Sequence, residues 1–268
     1  MAQGYVVAAP DGLPGSLGAG GTWGIHNAPG DGSGDVRPEV NDLAFMADML
    51  KCIAALGVPL SGDVAVAGYS LGAKFACRVA CTPPPGARVR ALALAGGIQG
   101  ELSRGCGGAP VPLLLFQGAG DPQVPFCSRA AHMGPGAYTA SAPQFDVFTR
   151  YNGGSEDDAD VSCSALGDAV VYAHPPHTPR GAPTTLFWLT AGTHVWPRPP
   201  APLGGCAADA SDVALAFYAD ALGATSPADV PPVSRALCGG LAPCRRDPPC
   251  GRLTTSGADS FRHRRLLL

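Results

Sequence analysis

The sequence predicts an α/β fold with a mainly parallel β-sheet and helices on both faces. Five short apolar runs bounded by Gly or Pro have the length of buried strands. Segments with a 3.6-residue apolar period lie between several of these runs. The chain has 268 residues, of which 46% are hydrophobic and only 15% charged, so it can bury a large core. Strands that alternate with helices are typical of parallel sheets covered on both faces.

The first predicted elements are a strand, a long loop and a helix. The apolar run Gly4–Ala9 stops at Pro10, which indicates a strand. Residues 10–37 are Gly-rich without any period, so they form a loop, and loops of this length are uncommon unless they serve a site. A helix begins at Pro38, since proline is tolerated in the first helical turn, and it ends at Gly57.

The remaining predicted elements alternate in the same way. They are strand Val64–Ala67, helix Leu71–Cys81, strands Val89–Ala95, Val111–Phe116 and Thr185–Leu189, and helix Ser211–Leu222. The three prolines at 83–85 end the second helix, because proline cannot continue a helix beyond its first turn.

The composition changes near residue 223, which divides the chain into a folded domain and a tail. Residues 224–268 contain six prolines, seven arginines and three cysteines, with almost no apolar period. The sequence therefore predicts a domain over residues 1–223 and a disordered Pro/Arg/Cys-rich tail. The three tail cysteines are each separated by five residues, which is not a zinc-binding spacing.

Net charge and hydropathy exclude some classes of partner. A net charge of −3 gives no basic field for nucleic acid, and no run approaches the ~18 apolar residues of a membrane-spanning helix. Ten cysteines favour an oxidising, extracellular location. The chain opens without a signal-peptide pattern, and one resolution is that the true N-terminus, with its signal, is absent from this chain. Nothing indicates a metal or an organic cofactor, and the oligomeric state stays open.

The segment Gly68-Tyr69-Ser70-Leu71-Gly72 lies between a predicted strand and a predicted helix. This is the setting of the G-x-S-x-G nucleophile elbow. The serine sits on a sharp, strained turn, and the two glycines keep the space around it clear. The N–H of Leu71, at the helix N-terminus, can donate to an oxyanion. The alternative is a chance match in a chain with 37 glycines.

Two further residues complete a candidate catalytic triad. A serine hydroxyl needs a base, and the fold supplies Asp and then His, each from a loop after a later strand. Asp121 follows the strand that ends at Phe116, and His194 follows the strand that ends at Leu189. His194 is predicted to accept the serine proton and Asp121 to orient the imidazole. The alternatives are a turn-forming Asp and a satisfied loop His.

Five segments then carry the pattern of a known family. They are VVAAPDG (6–12), NDLAFMADML (41–50), VAVAGYSLGAKFACRVAC (64–81), LLLFQGAGDPQVPF (113–126) and GTHVWP (192–197). They resemble the secreted esterases of the polyhydroxybutyrate depolymerase and feruloyl esterase group, which have an α/β-hydrolase fold. In that group the serine of G-x-S-x-G, the aspartate of G-x-x-D-x-x-V-P and the histidine of H-x-W-P form the triad. The resemblance covers about residues 4–222 and implies these roles for Ser70, Asp121 and His194.

The resemblance also suggests substrate-binding residues. Trp196, in the H-x-W-P segment, is a candidate for lining the acyl pocket, and its alternative role is to pack the loop that carries His194. Tyr69, beside the nucleophile, is the second candidate. The substrate is then a small or polymeric carboxylic ester.

The chain departs from the family pattern in two places. Members begin with a β-hairpin, a strand that ends in a His-Gly loop and a helix, all before the strand resembling Gly4–Ala9. The expected domain therefore lacks its N-terminal strands, and of the two oxyanion donors only the N–H of Leu71 remains. The family segment Asn-Gly-Cys reads Asn-Gly-Gly at 152–154, so a family disulfide is missing or rerouted. Cys81 and Cys163 are candidates for disulfides.

The sequence thus supports two hypotheses. The first is a serine carboxylic-ester hydrolase that works through an acyl-enzyme, with feruloyl esters and short polyesters both open as substrates. The second is a catalytically impaired, hydrolase-like binding protein or a truncated gene product, which the missing N-terminal elements favour.

Overall fold

The computed structural model describes residues 6–14, 21–24, 40–98, 108–127, 140–154, 162–166, 169–190, 192–197, 210–222 and 242–243. In chain order the described elements are β1 Leu13–Pro14, β2 Gly21–Thr22, α1 Asp42–Ala55, β3 Asp63–Tyr69, α2 Leu71–Cys81, β4 Arg88–Ala95, β5 Leu113–Gly118, α3 Ser141–Tyr151, β6 Ser162–Leu166, β7 Ala169–His174, β8 Thr184–Leu189, α4 Ala210–Ala221 and β9 Ala242–Pro243. Strands β1 and β2 form a separate antiparallel pair.

The other described strands form one mixed sheet in the order β3-β4-β5-β8-β7-β6-β9. The pairs β3–β4, β4–β5 and β5–β8 are parallel, whereas β8–β7, β7–β6 and β6–β9 are antiparallel. The carboxyl ends of β3, β5 and β8 therefore lie at one edge of the sheet. Open α/β sheets bind ligands at this edge.

Helices cover both faces of this sheet, so the predicted α/β class is confirmed. On β4, Leu92 and Leu94 point to one face, where they pack against α2 and α3. Ala93 and Ala95 point to the other face, where they pack against α4. Alternate residues of a strand face opposite sides, so one apolar strand contributes to both halves of the core.

Most predicted elements are present, with small shifts at their ends. Helix α2 has the predicted bounds Leu71–Cys81. Helix α1 begins at Asp42 rather than at Pro38, because the side chain of Asn41 caps it by accepting a hydrogen bond from the Ala44 N–H at 3.0 Å. Asparagine is among the best N-cap residues, and the helix therefore starts after it.

Strand β5 begins at Leu113 rather than at the predicted Val111. The buried side chain of Asn152 explains the difference, since it takes both backbone groups of Val111. Its Oδ1 accepts from the Val111 N–H at 3.0 Å, and its Nδ2 donates to the Val111 carbonyl at 2.8 Å. The same Nδ2 donates to Thr184 at the start of β8. Asn152 thus links the end of α3 to the N-terminal ends of two central strands, β5 and β8.

The predicted strand Gly4–Ala9 is wrong for the residues that the structure describes. Residues 6–10 carry no strand, and Val6 and Val7 are 47% and 83% exposed. An apolar run becomes a strand only if a neighbouring strand takes its backbone hydrogen bonds. Within the described sheet, β3 has β4 as its neighbour and is not paired to residues 6–10. The predicted loop 10–37 also differs, since it contains the short β1–β2 pair.

Helix α3 and the hairpin β6–β7 were not predicted from the sequence. Pro143 lies inside the first turn of α3, where proline is allowed. Proline is also typical of loops, so it did not by itself indicate a helix. Between β6 and β7 the sequence reads Gly167-Asp168, and a two-residue Gly-Asp connection between apolar runs is a recognisable hairpin signal.

Two residues of the predicted tail are part of the sheet. Ala242 and Pro243 pair with Ala165 and Ser164 of β6, so the prediction of disorder does not hold for them. An edge strand offers unpaired backbone groups, and a short extended segment can bind there. The rest of residues 224–268 lies outside the described residues, so the predicted disorder of that part stays a prediction.

The described cysteines are of two kinds. Cys81 and Cys127 are disulfide-bonded, which confirms the prediction for Cys81. Cys52 is an exposed free thiol on α1, and Cys77 is a buried cysteine on α2. The side chain of Cys163 lies outside the described part of the structure. Within the described part, no helix has both the length and the apolar character needed to span a bilayer.

Helix α2 buries a lysine, and this has a measurable consequence for stability. Lys74 is 2% exposed, and burial lowers the pKa of its ammonium group from 10.5 to about 7. Between these two pKa values the unfolded chain binds more protons than the folded protein, so stability rises with pH in this range. The penalty for the buried charge is complete below about pH 7.

We therefore expect Lys74→Met to stabilise the protein near pH 7 by on the order of 2–4 kcal/mol, and by less as pH rises towards 10. Urea unfolding of both proteins at about pH 7 and about pH 9 measures the difference. Lys51, which is exposed and paired with Asp48, offers a matched control, and Lys51→Met should change stability little at either pH. An equal gain for Lys74→Met at both pH values would contradict the assignment.

Candidate active site

Ser70 lies on a strained turn between β3 and α2, as the nucleophile-elbow motif predicts. Its backbone angles are φ 52° and ψ −116°, and it is the one non-glycine residue with positive φ among the described residues. The turn is held in place because the Ser70 N–H donates to the Ala95 carbonyl at 2.9 Å. Strained backbone of this kind costs of order 1–3 kcal/mol and persists only where the surroundings hold it.

The two glycines of the motif do not have equal roles. A Cβ on Gly68 would lie 2.2 Å from the carbonyl oxygen of Gly72, a distance too short for any side chain at this position. A Cβ on Gly72 would have no atom of the described residues within 4 Å. The prediction that both glycines keep the space clear is therefore correct for Gly68 and wrong for Gly72. The reason is that Gly68 faces the backbone of α2, whereas Gly72 faces space that the described residues leave open.

Asp121 lies in the loop after β5 and is 4% exposed. Its Oδ1 accepts hydrogen bonds from the backbone N–H groups of Gln123 and Val124, at 2.9 and 2.8 Å. Its Oδ2 accepts from His194 Nδ1 at 2.7 Å and from Gln117 Nε2 at 3.3 Å. The carboxylate thus forms the tight turn that was its alternative role, and with its second oxygen it also contacts the histidine.

His194 lies in the loop after β8, between Ser70 and Asp121. Its Nε2 is 2.9 Å from the Ser70 Oγ, while its Nδ1 contacts Asp121. The side chains of His194 and Asp121 are only 5% and 0% exposed. The structure therefore brings together the three predicted residues, which are 73 and 124 positions apart in the chain.

Tyr69 supports the histidine loop from the other side. Its hydroxyl donates to the backbone carbonyl of His194 at 2.7 Å, and its ring lies 5.1 Å from the imidazole. Burial of the hydroxyl, and next the charge of Asp121, raise the pKa of Tyr69, so the phenol keeps its proton near neutral pH. Tyr69 is 40% exposed beside Ser70, and its contact with substrate stays a prediction.

Trp196 has the contacts of its alternative, packing role. Its indole N–H donates to the Ser211 hydroxyl at 3.1 Å, at the start of α4. Its ring lies 6.0 Å from the ring of Phe116 and packs against the core cluster on that face of the sheet. These contacts attach the loop of His194 to α4, and a direct role in substrate binding stays a prediction.

Gly96 is a residue of the site that the sequence did not single out. It follows β4 with φ +62°, a conformation that favours glycine. A Cβ at this position would lie 3.1 Å from the imidazole of His194 and 3.1 Å from the ring of Tyr69. The absence of a side chain at Gly96 therefore lets both rings pack closely over the backbone. Its only sequence signal is the Gly96-Gly97 pair directly after a strand.

Leu71 is the first residue of α2, so its N–H has no acceptor within the helix. This N–H lies next to Ser70 and stays the predicted oxyanion donor. Within the described residues, no group of three or more His, Cys, Asp or Glu side chains is arranged to hold a metal ion.

The arrangement can transfer a proton away from the Ser70 hydroxyl. The hydroxyl donates to His194 Nε2, and His194 Nδ1 donates to the carboxylate of Asp121. The other oxygen of this carboxylate accepts hydrogen bonds from backbone N–H groups. A serine–imidazole–carboxylate chain of this geometry occurs in hydrolases of unrelated folds. No protein-family model matches the chain, and no curated protein matches its sequence significantly.

Proposed function

We propose that this protein is a serine hydrolase of carboxylic esters, with an α/β-hydrolase fold and Ser70 as its nucleophile. The observation that carries the proposal is the hydrogen-bonded chain from Ser70 through His194 to Asp121. The strained elbow at Ser70 adds support, because backbone strain is retained where the surroundings enforce it, and such positions cluster at active sites.

In the acylation step, the Ser70 Oγ attacks the ester carbonyl carbon and His194 Nε2 accepts the hydroxyl proton. The tetrahedral intermediate collapses when the bond to the alcohol oxygen breaks, and the imidazolium returns the proton to that oxygen. The alcohol leaves, and the acyl group stays on Ser70 as an ester. Water then repeats the sequence, with His194 again as base and then acid, and releases the carboxylic acid.

Asp121 has an electrostatic and an orienting role in this mechanism. Its Oδ2 accepts from Nδ1–H, which leaves Nε2 as the basic nitrogen facing the serine. When His194 takes the proton, the adjacent carboxylate stabilises the imidazolium. The two backbone N–H groups on Oδ1 anchor that oxygen of the carboxylate in the turn.

The Leu71 N–H is proposed as the donor to the oxyanion of the tetrahedral intermediate. It lies at the positive end of the α2 dipole, which favours negative charge. Loss of an oxyanion donor typically costs ~10²–10³ in rate. The acyl specificity is proposed to lie in residues 10–37 and 127–180, so feruloyl esters and short polyesters both remain candidates.

Membership of the polyhydroxybutyrate depolymerase and feruloyl esterase group, and an extracellular location, belong to the same proposal. The disulfides at Cys81 and Cys127 support the location, because disulfides form and persist in oxidising compartments.

Covalent labelling tests the function directly. A fluorophosphonate probe should phosphonylate the Ser70 Oγ with loss of fluoride, and peptide mass spectrometry should place the adduct on this residue. The control is protein that has been unfolded by heat before the probe is added, and it should stay unlabelled. A folded chain that leaves Ser70 unlabelled would favour the alternative of a hydrolase-like binding protein.

A further inference from the structure

Gln117 is a fully buried amide in an otherwise apolar strand. It lies near the end of β5 after Leu113–Phe116, is 0% exposed, and is in register with Trp188 of β8. Its Oε1 has no hydrogen-bond partner within the described part of the chain. Burial of an unsatisfied carbonyl oxygen costs free energy, and an apolar side chain of similar size would avoid that cost. The position therefore calls for an explanation beyond packing.

The hydrogen bonds of Gln117 Nε2 explain why a buried amide is present at this position. It lies 3.3 Å from Asp121 Oδ2 and 3.0 Å from the Val124 carbonyl oxygen. Oδ2 is the same oxygen that accepts from His194 Nδ1. Val124 also donates its N–H to Asp121 Oδ1, so one amide group bridges both ends of the turn that carries the carboxylate. The contacts of Gln117 therefore fix the turn and the oxygen that faces the histidine.

We propose that Gln117 is a positioning residue for the reaction, which holds Asp121 Oδ2 in line with His194 Nδ1. This inference rests on the proposed function for its effect on turnover. The hydrogen bonds of Gln117 go to Asp121, Val124 and Gly118 rather than to Ser70, so it acts through Asp121. Without its donor, Oδ2 can rotate away from the imidazole while Oδ1 keeps its backbone partners, and the imidazole loses its fixed tautomer.

The test replaces Gln117 by methionine, which has a similar length and volume but no donor. We expect Gln117→Met to fold, and to lower both the rate of fluorophosphonate labelling and kcat for p-nitrophenyl acetate by roughly 10- to 100-fold, because small misplacements of catalytic groups have effects of this size. KM should change little, since the residue is remote from substrate. Gln144→Met is the matched control, because Gln144 is also buried with an Oε1 that lacks a partner among the described residues.

A second variant gives a signature that a packing role would not produce. In Gln117→Glu the introduced carboxyl can donate to Asp121 Oδ2 only while it is protonated. Burial and the charge of Asp121 raise the pKa of the introduced carboxyl. His194 and Tyr69 are the other ionisable groups around Asp121. Turnover relative to the parent should therefore fall as pH rises. A ratio that is constant with pH would overturn the proposal.

A spectroscopic measurement separates failure of this inference from failure of the proposed function. In the parent, the proton on His194 Nδ1 should give a low-field NMR resonance, because it is shared with a carboxylate. In Gln117→Met this resonance should shift or broaden by exchange, whereas in Gln144→Met it should stay unchanged. An unchanged resonance in folded Gln117→Met overturns the positioning role, even if the parent proves inactive on esters. If the resonance shifts in Gln117→Met but the parent is inactive on esters, the positioning role of Gln117 stands and the proposed esterase function is rejected.

Discussion

Ser70→Ala is expected to lower kcat for p-nitrophenyl acetate by at least ~10⁴-fold, with the fold retained. The variant removes the oxygen that forms the acyl-enzyme but leaves His194 and Asp121 in contact with each other. Stability should fall little and can rise, because the hydroxyl is replaced by hydrogen without loss of apolar contacts. The measurements are initial rates over a range of ester concentrations and a thermal unfolding curve for each protein.

The matched control for this substitution is Ser61→Ala. Ser61 precedes β3, and its hydroxyl accepts a hydrogen bond from the exposed Asp63 N–H, far from the triad along the same strand. This variant should turn over ester at the parental rate. If Ser70→Ala keeps more than a tenth of the parental kcat while folded, the assignment of Ser70 as nucleophile is wrong.

The second large effect is expected at Gly68. Gly68→Ala would place a methyl group 2.2 Å from the Gly72 carbonyl oxygen and 2.6 Å from the Ala73 backbone nitrogen. Backbone cannot move aside as a flexible side chain can, so the start of α2 must shift away from β3. We expect a loss of ~3 kcal/mol or more in the free energy of unfolding, at the upper end of overpacking effects. Ester turnover should also be lost, because Ser70 lies within the displaced turn.

Gly72→Ala provides the contrast from the same motif. In the part of the chain that the structure describes, no atom lies within 4 Å of a Cβ at Gly72, and alanine is favoured over glycine in a helix by about 1 kcal/mol. This variant should therefore be as stable as the parent or more stable, with turnover preserved. Chemical unfolding and ester kinetics of the two alanine variants compare them directly. Equal destabilisation by both substitutions would contradict the geometry of the turn.

The candidate triad could be predicted because its signals are local. The G-x-S-x-G segment, the Asp after β5 and the His after β8 each follow an apolar run that the sequence identifies as a strand. Parallel strands end at one edge of the sheet, so three loops far apart in sequence were expected to meet there. Helix α2 was predicted to the residue because Ser70 and the prolines at 83–85 bound it.

The supporting residues could not be predicted, because their roles depend on tertiary contacts. Gln117 is one polar letter in an apolar strand, and nothing in the sequence shows that its amide reaches Asp121. Gly96 is one of 37 glycines, and its closeness to the imidazole appears only when β4 and β8 are placed in the sheet. The strand predicted at Gly4–Ala9 failed for the same reason, since strand formation depends on a neighbour rather than on composition.

The order of strands also bears on when the candidate triad is assembled during synthesis. Strand β8 is made after the hairpin β6–β7, yet it lies between that hairpin and β5. The sheet therefore stays divided until β8 inserts, and such non-local pairing is slow compared with local folding. The loop after β8 carries His194, so the insertion that closes the sheet also delivers the base to Ser70. Partly folded or prematurely terminated chains then display Ser70 without His194, so the proposed hydrolysis can begin only when the central strand is in place.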